Sequence, residues 1–460
     1  MNHRKGLGSQ KSNTEQSNSE RQKSQINRHL EGQKSIQRLQ KQETPELQYS
    51  RTEPQRLTQA GPMAASSQRA ARKTVAVAGT LITKQLDRVQ SHHQHKENTV
   101  VHTNTPALES RSQRSDHQGP IYTGDVNLMS TIDTNKEIMC CKYTEDTHYV
   151  AAGFTDGVIR VFECSTGKCR QTLIDEECRA YPGPVTAIKH RPVGKAHPIT
   201  NTILASYVNG CVKCWKYKYD TCLYTIREKR QTLGLSYHPR NPKFVTYGDD
   251  CKLNMYDEEA QTQERAFYGS STKEPVDGHV SRVYACAFNP KSHHELISGG
   301  WDDTVMCWDD RQPFATKHFK GIHMCGEGLD FDKPGRQILT CSWQEKDSIQ
   351  IWDYGSCKLI DSIVPDNHMS KLYCGKFVPQ TNLLVCGGSD SNIIRVVDVD
   401  LKITEASIRN NPGEVYAFDF GTVRRKPPKV PETYKRISEL QSVPRVVFVA
   451  GKRLETVDFG

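Results

Sequence analysis

One pattern recurs along residues 137–460, and it limits the possible folds more than any other feature of the chain. Each copy has an alternating apolar strand, a second strand that ends in small residues, a polar turn, and a third strand with a closing pair. The seven closing pairs are Phe162-Glu163, Trp215-Lys216, Tyr256-Asp257, Trp308-Asp309, Trp352-Asp353, Val397-Asp398 and Val457-Asp458. Successive pairs are 41 to 60 residues apart. Repeats of this size are typical of propellers and solenoids, in which each unit buries its faces against its neighbours.

The fourth copy is the most regular one. It contains Gly278-His279, a strand that runs into Phe288-Asn289-Pro290, the turn Ser298–Asp303 and the closing pair Trp308-Asp309. These features resemble the WD-repeat family. The resemblance implies an all-β fold, a seven-bladed propeller over residues 119–460. The last copy lacks a fourth strand, so we expect the strand-like segment 125–132 to join it and remove an exposed edge.

The same resemblance implies a structural role for four polar or aromatic residues. In this family a buried histidine, serine or threonine, aspartate and tryptophan form a hydrogen-bond network inside a blade. His279, Ser298, Asp302 and Trp308 occupy those places here. Other copies lack some members of the set, and we expect their blades to depend more on packing.

The first quarter of the chain has a different composition. Residues 1–120 contain 19 Lys or Arg and 10 Asp or Glu, whereas the rest contains 43 of each. Residues 1–118 are rich in Gln and Ser, and such a segment buries too little apolar surface to offset the cost of ordering its backbone. We therefore predict a disordered basic tail with short helices at 20–44 and 74–90. It would act as a tether or contact an acidic polymer such as tubulin or RNA.

The top face of the predicted propeller is the expected place for protein partners. In the family this face is built from the turns between second and third strands and from the links between blades. Residues in or beside those turns are Phe154, Tyr207, Asp249, Trp301 and Trp343. Trp301 directly precedes Asp302, at a position where family members contact peptides. Aromatic side chains there are typical of binding hot spots.

Two further segments suggest partners. Trp308, Asp309 and Arg311 form a W-D-x-R motif that resembles the box of substrate receptors in a cullin-RING ubiquitin ligase, although Cys307 departs from its aliphatic preference. The loop at 421–444 is basic and would contact an acidic partner; its cations are Arg424, Arg425, Lys426 and Lys429.

The sequence contains no motif that indicates an enzyme, a metal site or a cofactor. No apolar run is long enough for a membrane helix, and the residues after Met1 lack the apolar core of a secretory signal. Sixteen cysteines without such a signal favour a reducing compartment. We expect a cytoplasmic protein, with the nucleus and the cilium as alternatives.

These observations predict a non-enzymatic scaffold that binds peptide segments of other proteins. Three alternatives stay open at this point. The first is a ubiquitin-ligase substrate receptor, the second a structural component of a ciliary or microtubule assembly, and the third an RNA-associated scaffold.

Overall fold

The computed structural model describes residues 119–194, 197–271, 276–421 and 443–460. All of these residues belong to one compact unit, Ser112–Gly460. The predicted tail, its two helices and the basic loop residues Arg424, Arg425, Lys426 and Lys429 lie outside the described residues.

The described residues form a seven-bladed β-propeller, as the repeats predicted. Each blade is an antiparallel sheet. In blades one to five the strands follow one another in chain order, whereas blades six and seven each gain an outer strand from the first described segment. The first strands of neighbouring blades contact one another around the centre of the ring. Because each sheet packs both of its faces on its neighbours, a repeat of β-branched and aromatic strands is buried without a separate core layer.

The strand bounds follow the repeat. Blades one to three consist of β3 (Ile138–Tyr143), β4 (Tyr149–Phe154), β5 (Ile159–Glu163) and β6 (Cys169–Leu173); β7 (Val185–Lys189), β8 (Thr202–Tyr207), β9 (Cys211–Lys216) and β10 (Thr221–Arg227); and β11 (Thr232–Tyr237), β12 (Lys243–Gly248), β13 (Leu253–Asp257) and β14 (Thr262–Phe267). Blades four to six consist of β15 (Val283–Phe288), β16 (Glu295–Gly300), β17 (Thr304–Asp309) and β18 (Lys317–Lys320); β19 (Leu329–Phe331), β20 (Gln337–Cys341), β21 (Ile349–Asp353) and β22 (Leu359–Ser362); and β23 (Leu372–Phe377), β24 (Leu383–Gly388), β25 (Ile394–Asp398) and β26 (Ile403–Arg409). Blade seven contains β27 (Phe418–Phe420), β28 (Val446–Ala450) and β29 (Arg453–Phe459). A short helix, α1 (Glu176–Ala180), links blades one and two, with Asp175 as its N-cap.

The first described segment is shared between two blades. The strand β2 (Val126–Asp133) pairs with β29 and forms the outer strand of blade seven. The strand β1 (Ile121–Thr123) pairs with β26 and adds a fifth strand to blade six, which the sequence did not predict. Gly124 connects the two strands with a φ of +78°, and a Cβ there would meet the carbonyl oxygen of Glu405 at 2.2 Å. Only glycine fits this crossing without strain.

Blade four contains the hydrogen-bond network that the resemblance implied. The Nδ1 atom of His279 lies 2.9 Å from Oδ2 of Asp302, and its Nε2 atom lies 2.7 Å from Oγ of Ser298. The indole N–H of Trp308 donates to the same Ser298 oxygen at 2.8 Å. Burial would raise the pKa of Asp302, but hydrogen bonds from His279, Thr304 and a backbone N–H together hold it below its usual value.

In blade three an ion pair occupies the buried place that the histidine network has in blade four. Glu228 and Arg230 lie 3.0 Å apart, and each side chain is only 3% exposed. Glu228 accepts hydrogen bonds from several surrounding side chains, namely Thr232 (2.5 Å), Thr246 (2.7 Å), Asn254 (2.9 Å) and Tyr256 (2.7 Å). Arg230 also donates to Asp250 at 2.7 Å. A blade without the histidine is therefore held by buried charges as well as by packing.

Candidate functional site

The top face of the propeller carries two tryptophans at equivalent places. Trp301 follows β16 directly, and its backbone N–H donates to the carbonyl of Arg282 at 3.0 Å. Trp343 follows β20 in the next blade and donates to the carbonyl of His323 at 2.8 Å. Both side chains are partly buried. The turn after the second strand therefore holds each indole on the top face, beside the link that enters the same blade.

These tryptophans belong to a continuous run of rings that we call the aromatic arc. Its members, in order around the ring, are Tyr284, Trp301, His323, Trp343, Tyr373 and Tyr416. Successive ring centroids are 5.4, 5.7, 6.2, 6.5 and 5.0 Å apart. Such spacings are those of interacting aromatic pairs. The arc extends from blade four to blade seven, so it covers one side of the top face.

Two cations flank the arc. The guanidinium of Arg282 lies 5.9 Å from the ring centroid of Trp301, and Nζ of Lys371 lies 4.9 Å from that of Trp343. Both distances allow a cation–π interaction. Lys371 is also 3.4 Å from the exposed carboxylate of Glu345. These contacts fix the two indoles without removing them from the surface.

The prediction that Phe154 and Tyr207 contact partners is wrong. Their side chains are 0% and 1% exposed. They pair with Ile138 and Val185 in the register where blade four has Gly300, one residue before the position of Trp301. Because side chains alternate between the faces of a strand, a residue one position before that of Trp301 points into the core. There the indole N–H of Trp215 donates to the Tyr207 hydroxyl at 3.1 Å.

Asp249 does occupy the position of Trp301 in blade three. Its carboxylate accepts the backbone N–H of Gln231 at 2.9 Å, and the side chain is partly buried. The residue therefore closes the turn of its blade. Its contact with a partner stays a prediction.

A cavity of about 390 Å³ opens at the end of the arc, between the link into blade seven and the link into blade one. Its lining residues are Asp133, Glu137, Pro412, Gly413, Glu414, Tyr416, Gly451, Lys452 and Arg453. Gly451 follows β28 in the position that Trp301 has in blade four, and the missing side chain leaves room for the cavity. Sequence reasoning missed this site because its residues come from both ends of the described chain.

The W-D-x-R motif lies at the far end of β17 from Trp301. Trp308 is buried, whereas the side chain of Arg311 is 62% exposed. The guanidinium of Arg311 forms two bonds to Asp309, at 2.9 and 2.6 Å, and this pairing lowers the pKa of Asp309 to about 2. Binding of a ligase adaptor by this arginine stays a prediction.

Buried charges near the centre of the ring join neighbouring blades. Asp419 accepts the Tyr143 backbone N–H at 3.0 Å and pairs with Lys142 at 2.8 Å. Asp330 accepts the Phe377 backbone N–H at 3.0 Å, and burial raises its pKa to about 6. These carboxylates connect one blade to the next, so their position has a structural explanation.

The part of the chain that the structure describes has neither a metal cluster nor a membrane-spanning helix. It contains no cluster of three or more His, Cys, Asp or Glu side chains that would hold a metal ion. The sixteen cysteines all lie in this part and are free thiols. None of its helices has the length and hydropathy of a membrane span.

Comparison with known proteins agrees with this geometry. The family model described as "WD domain, G-beta repeat" matches residues 127–163 and 270–309, which contain most of blade one and of blade four. The chain is a WD-repeat protein. Its other five blades carry the same strand order with more divergent turns, as blade three illustrates.

Several curated relatives resemble this WD-repeat protein over part of their length. The Periodic tryptophan protein 2 homolog of Dictyostelium discoideum is 23% identical over 58% of this chain and 29% of its own length. The Ribosome biogenesis protein WDR12 homolog of Anopheles gambiae is 28% identical over 28% of this chain and 30% of its own. Pre-mRNA-processing factor 17 of Saccharomyces cerevisiae is 21% identical over 56% of this chain and 54% of its own. The matched segments thus span about a third to a half of these relatives.

Proposed function

We propose that this WD-repeat protein is a non-enzymatic scaffold in the assembly of ribonucleoprotein particles. It would bind extended segments of partner proteins on the aromatic arc. The observation that carries the proposal is the arc itself, a run of six neighbouring rings on a rigid propeller, of which all but Tyr373 are partly exposed. Tyrosine and tryptophan dominate binding energy at protein interfaces, where loss of one anchor typically costs about 2 kcal/mol or more.

The class of assembly is supported by two of the relatives. Their names place one in ribosome biogenesis and the other in pre-mRNA processing. The uneven charge of the chain agrees with such a setting, because its first quarter holds the whole positive excess and would be attracted to RNA. This function favours the nucleus or nucleolus over the cytoplasm that we expected from composition.

The proposal is tested by proteins that co-purify with the full-length chain from cells, measured by quantitative mass spectrometry. We expect ribosome-assembly or splicing proteins in the wild-type sample. Their recovery should fall several-fold in a Trp301→Ala, Trp343→Ala double variant. Tyr219→Ala is the matched control, because Tyr219 is a 70% exposed aromatic outside the arc.

Each outcome separates the alternatives. Unchanged recovery in the double variant would remove the arc from the binding surface. A set of partners that consists of cullin-ligase or axonemal proteins would overturn the ribonucleoprotein assignment and favour the corresponding alternative.

A further inference from the structure

The cavity at the end of the aromatic arc has the features of a pocket for one cationic side chain. We propose that it binds a lysine or arginine of the partner segment while neighbouring apolar residues of that segment lie along the arc. This inference rests on the proposed scaffold function and specifies its ligand. We call the pocket, formed by Glu137, Glu414, Tyr416 and Lys452, the acidic notch.

Two carboxylates of the notch form no ion pair with any residue that the structure describes. Among the described residues, Glu137 has no ion pair and no side-chain hydrogen bond. Glu414 accepts a hydrogen bond from the Tyr373 hydroxyl at 3.0 Å and forms no ion pair within the described part of the chain. The third acid, Asp133, is already paired with Arg453 at 2.8 Å. The notch therefore offers two negative charges to an incoming cation.

The walls suit the stem and head group of a long basic side chain. Tyr416 supplies an aromatic face beside Glu414, and its ring lies 5.0 Å from that of Tyr373 in the arc. Burial and the nearby Glu414 raise the pKa of Tyr416, so its hydroxyl stays neutral. Aromatic faces and carboxylates together bind guanidinium and ammonium groups, by cation–π and charge-assisted hydrogen bonds. A volume of about 390 Å³ lies within the usual range for ligand pockets, roughly 300 to 1,000 Å³.

The same charges disfavour nucleic acid at this place. A phosphate that approached the arc from blade seven would meet Glu137 and Glu414 before it reached Arg282 or Lys371. Lys452 is exposed and is the one lining cation without an ion pair among the described residues. Its ammonium group would compete with an incoming basic side chain, so the removal of this charge provides a second test of the site.

A peptide experiment tests the notch. A positional-scanning library of short acetylated peptides is panned on the purified full-length protein, and the selected peptide is titrated by fluorescence anisotropy. We expect selection of arginine or lysine at one position, next to apolar or aromatic residues. The Kd of that peptide should rise about tenfold or more in Glu137→Gln and in Glu414→Gln. A peptide with glutamine in place of the cation should bind the wild type and both variants equally.

Two further variants make the result specific. Glu345→Gln is the matched control, since Glu345 is an exposed carboxylate that pairs with Lys371 beside the arc and lies outside the notch. It should leave the Kd unchanged, while Lys452→Met should lower it by removing the competing charge. Selection without a basic residue would overturn the inference. So would a basic peptide that binds both glutamine variants as tightly as the wild type, or stronger binding of a single-stranded RNA than of any peptide.

The failure of this inference is distinguishable from failure of the proposed function. If ribonucleoprotein components co-purify but selected peptides lack a basic residue, only the notch assignment is wrong. If basic peptides bind in the notch but no such component co-purifies, only the assembly is wrong.

Discussion

Blade four and blade three place different side chains around the same buried site of their sheets. In blade four, hydrogen bonds run from Trp308 through Ser298 and His279 to the carboxylate of Asp302. In blade three a single carboxylate, Glu228, receives the donors. Both arrangements leave their polar groups satisfied, which is what burial demands.

The difference teaches that a degenerate repeat need not be a weaker blade. Buried charges are expensive to desolvate, so the Glu228–Arg230 pair stabilises the blade only as a complete set. The network of blade four is built from weaker bonds, each of which can be lost at a lower cost. We therefore expect blade three to be the more sensitive of the two to a single substitution.

The largest effect is expected for Glu228→Gln. This change keeps the shape of the side chain but leaves the 3% exposed guanidinium of Arg230 with Asp250 as its remaining carboxylate, beside two neutral acceptors, the Thr246 hydroxyl and the Lys252 carbonyl. Breaking a buried pair typically costs about 3 to 5 kcal/mol. The free energy of unfolding, measured by urea titration, should fall by about 3 kcal/mol. Glu405→Gln, at an exposed carboxylate, is the control. A smaller loss of unfolding free energy than in Ser298→Ala would contradict the greater sensitivity of blade three.

A smaller effect is expected for Ser298→Ala in blade four. The substitution removes the acceptor of the Trp308 indole N–H and the partner of His279 Nε2, and both groups stay buried. An unsatisfied buried group costs about 1 to 3 kcal/mol. The same urea titration should show a loss in that range, and Ser298→Thr should restore part of it if the methyl group is accommodated.

Acid should destabilise both networks. The pKa of Glu228 lies below its usual value because Arg230 and the surrounding hydrogen bonds together outweigh the effect of burial, and the pKa of Asp302 is lowered in the same way by its own partners. A lowered carboxyl pKa contributes stability above the unfolded-state value, about 4, and that stability is lost as the pH falls through the folded-state pKa. The melting temperature should therefore decline below about pH 4, and Glu228→Gln should flatten this decline. An equally steep decline in the variant would exclude Glu228 as a source.

The smallest effect on stability is expected at the ends of the two blades. Blade four continues from its closing pair to Arg311, whereas blade three has Glu259 at that place. The Arg311–Asp309 pair is exposed on the arginine side, and such pairs contribute less than about 1 kcal/mol. Arg311→Ala should leave the urea midpoint nearly unchanged. If it nevertheless abolishes co-purification of a cullin-ligase adaptor, the arginine is a binding residue rather than a fold residue.

The repeat made much of the fold predictable. Period-two strands and turn residues mark each copy, and both are local properties of the chain. The position after the second strand also predicted that Trp301 and Trp343 lie at the top face. The same rule failed for Phe154 and Tyr207 because these residues stand one position earlier, in register with Gly300, where alternation points the side chain into the core.

The rest of the candidate site could not be predicted in this way. Tyr284, Tyr373 and Tyr416 come from inner strands or from the link before one, where an aromatic residue looks like ordinary core. His323 comes from a link with no repeated motif. Glu137 and Glu414 are 277 positions apart in the sequence and meet only because blades one and seven are neighbours.

The sequence by itself determined the number of blades, their strand pattern and the sharp change of composition near residue 120, because these depend on short-range periodicity and residue type. The tertiary structure alone decided which aromatic rings touch, which carboxylates pair with none of the described cations, and where the segment around Gly124 crosses from blade six to blade seven. Those features depend on closure of the ring. Closure brings together residues from opposite ends of the propeller, and no local pattern in the sequence shows which of these distant residues meet.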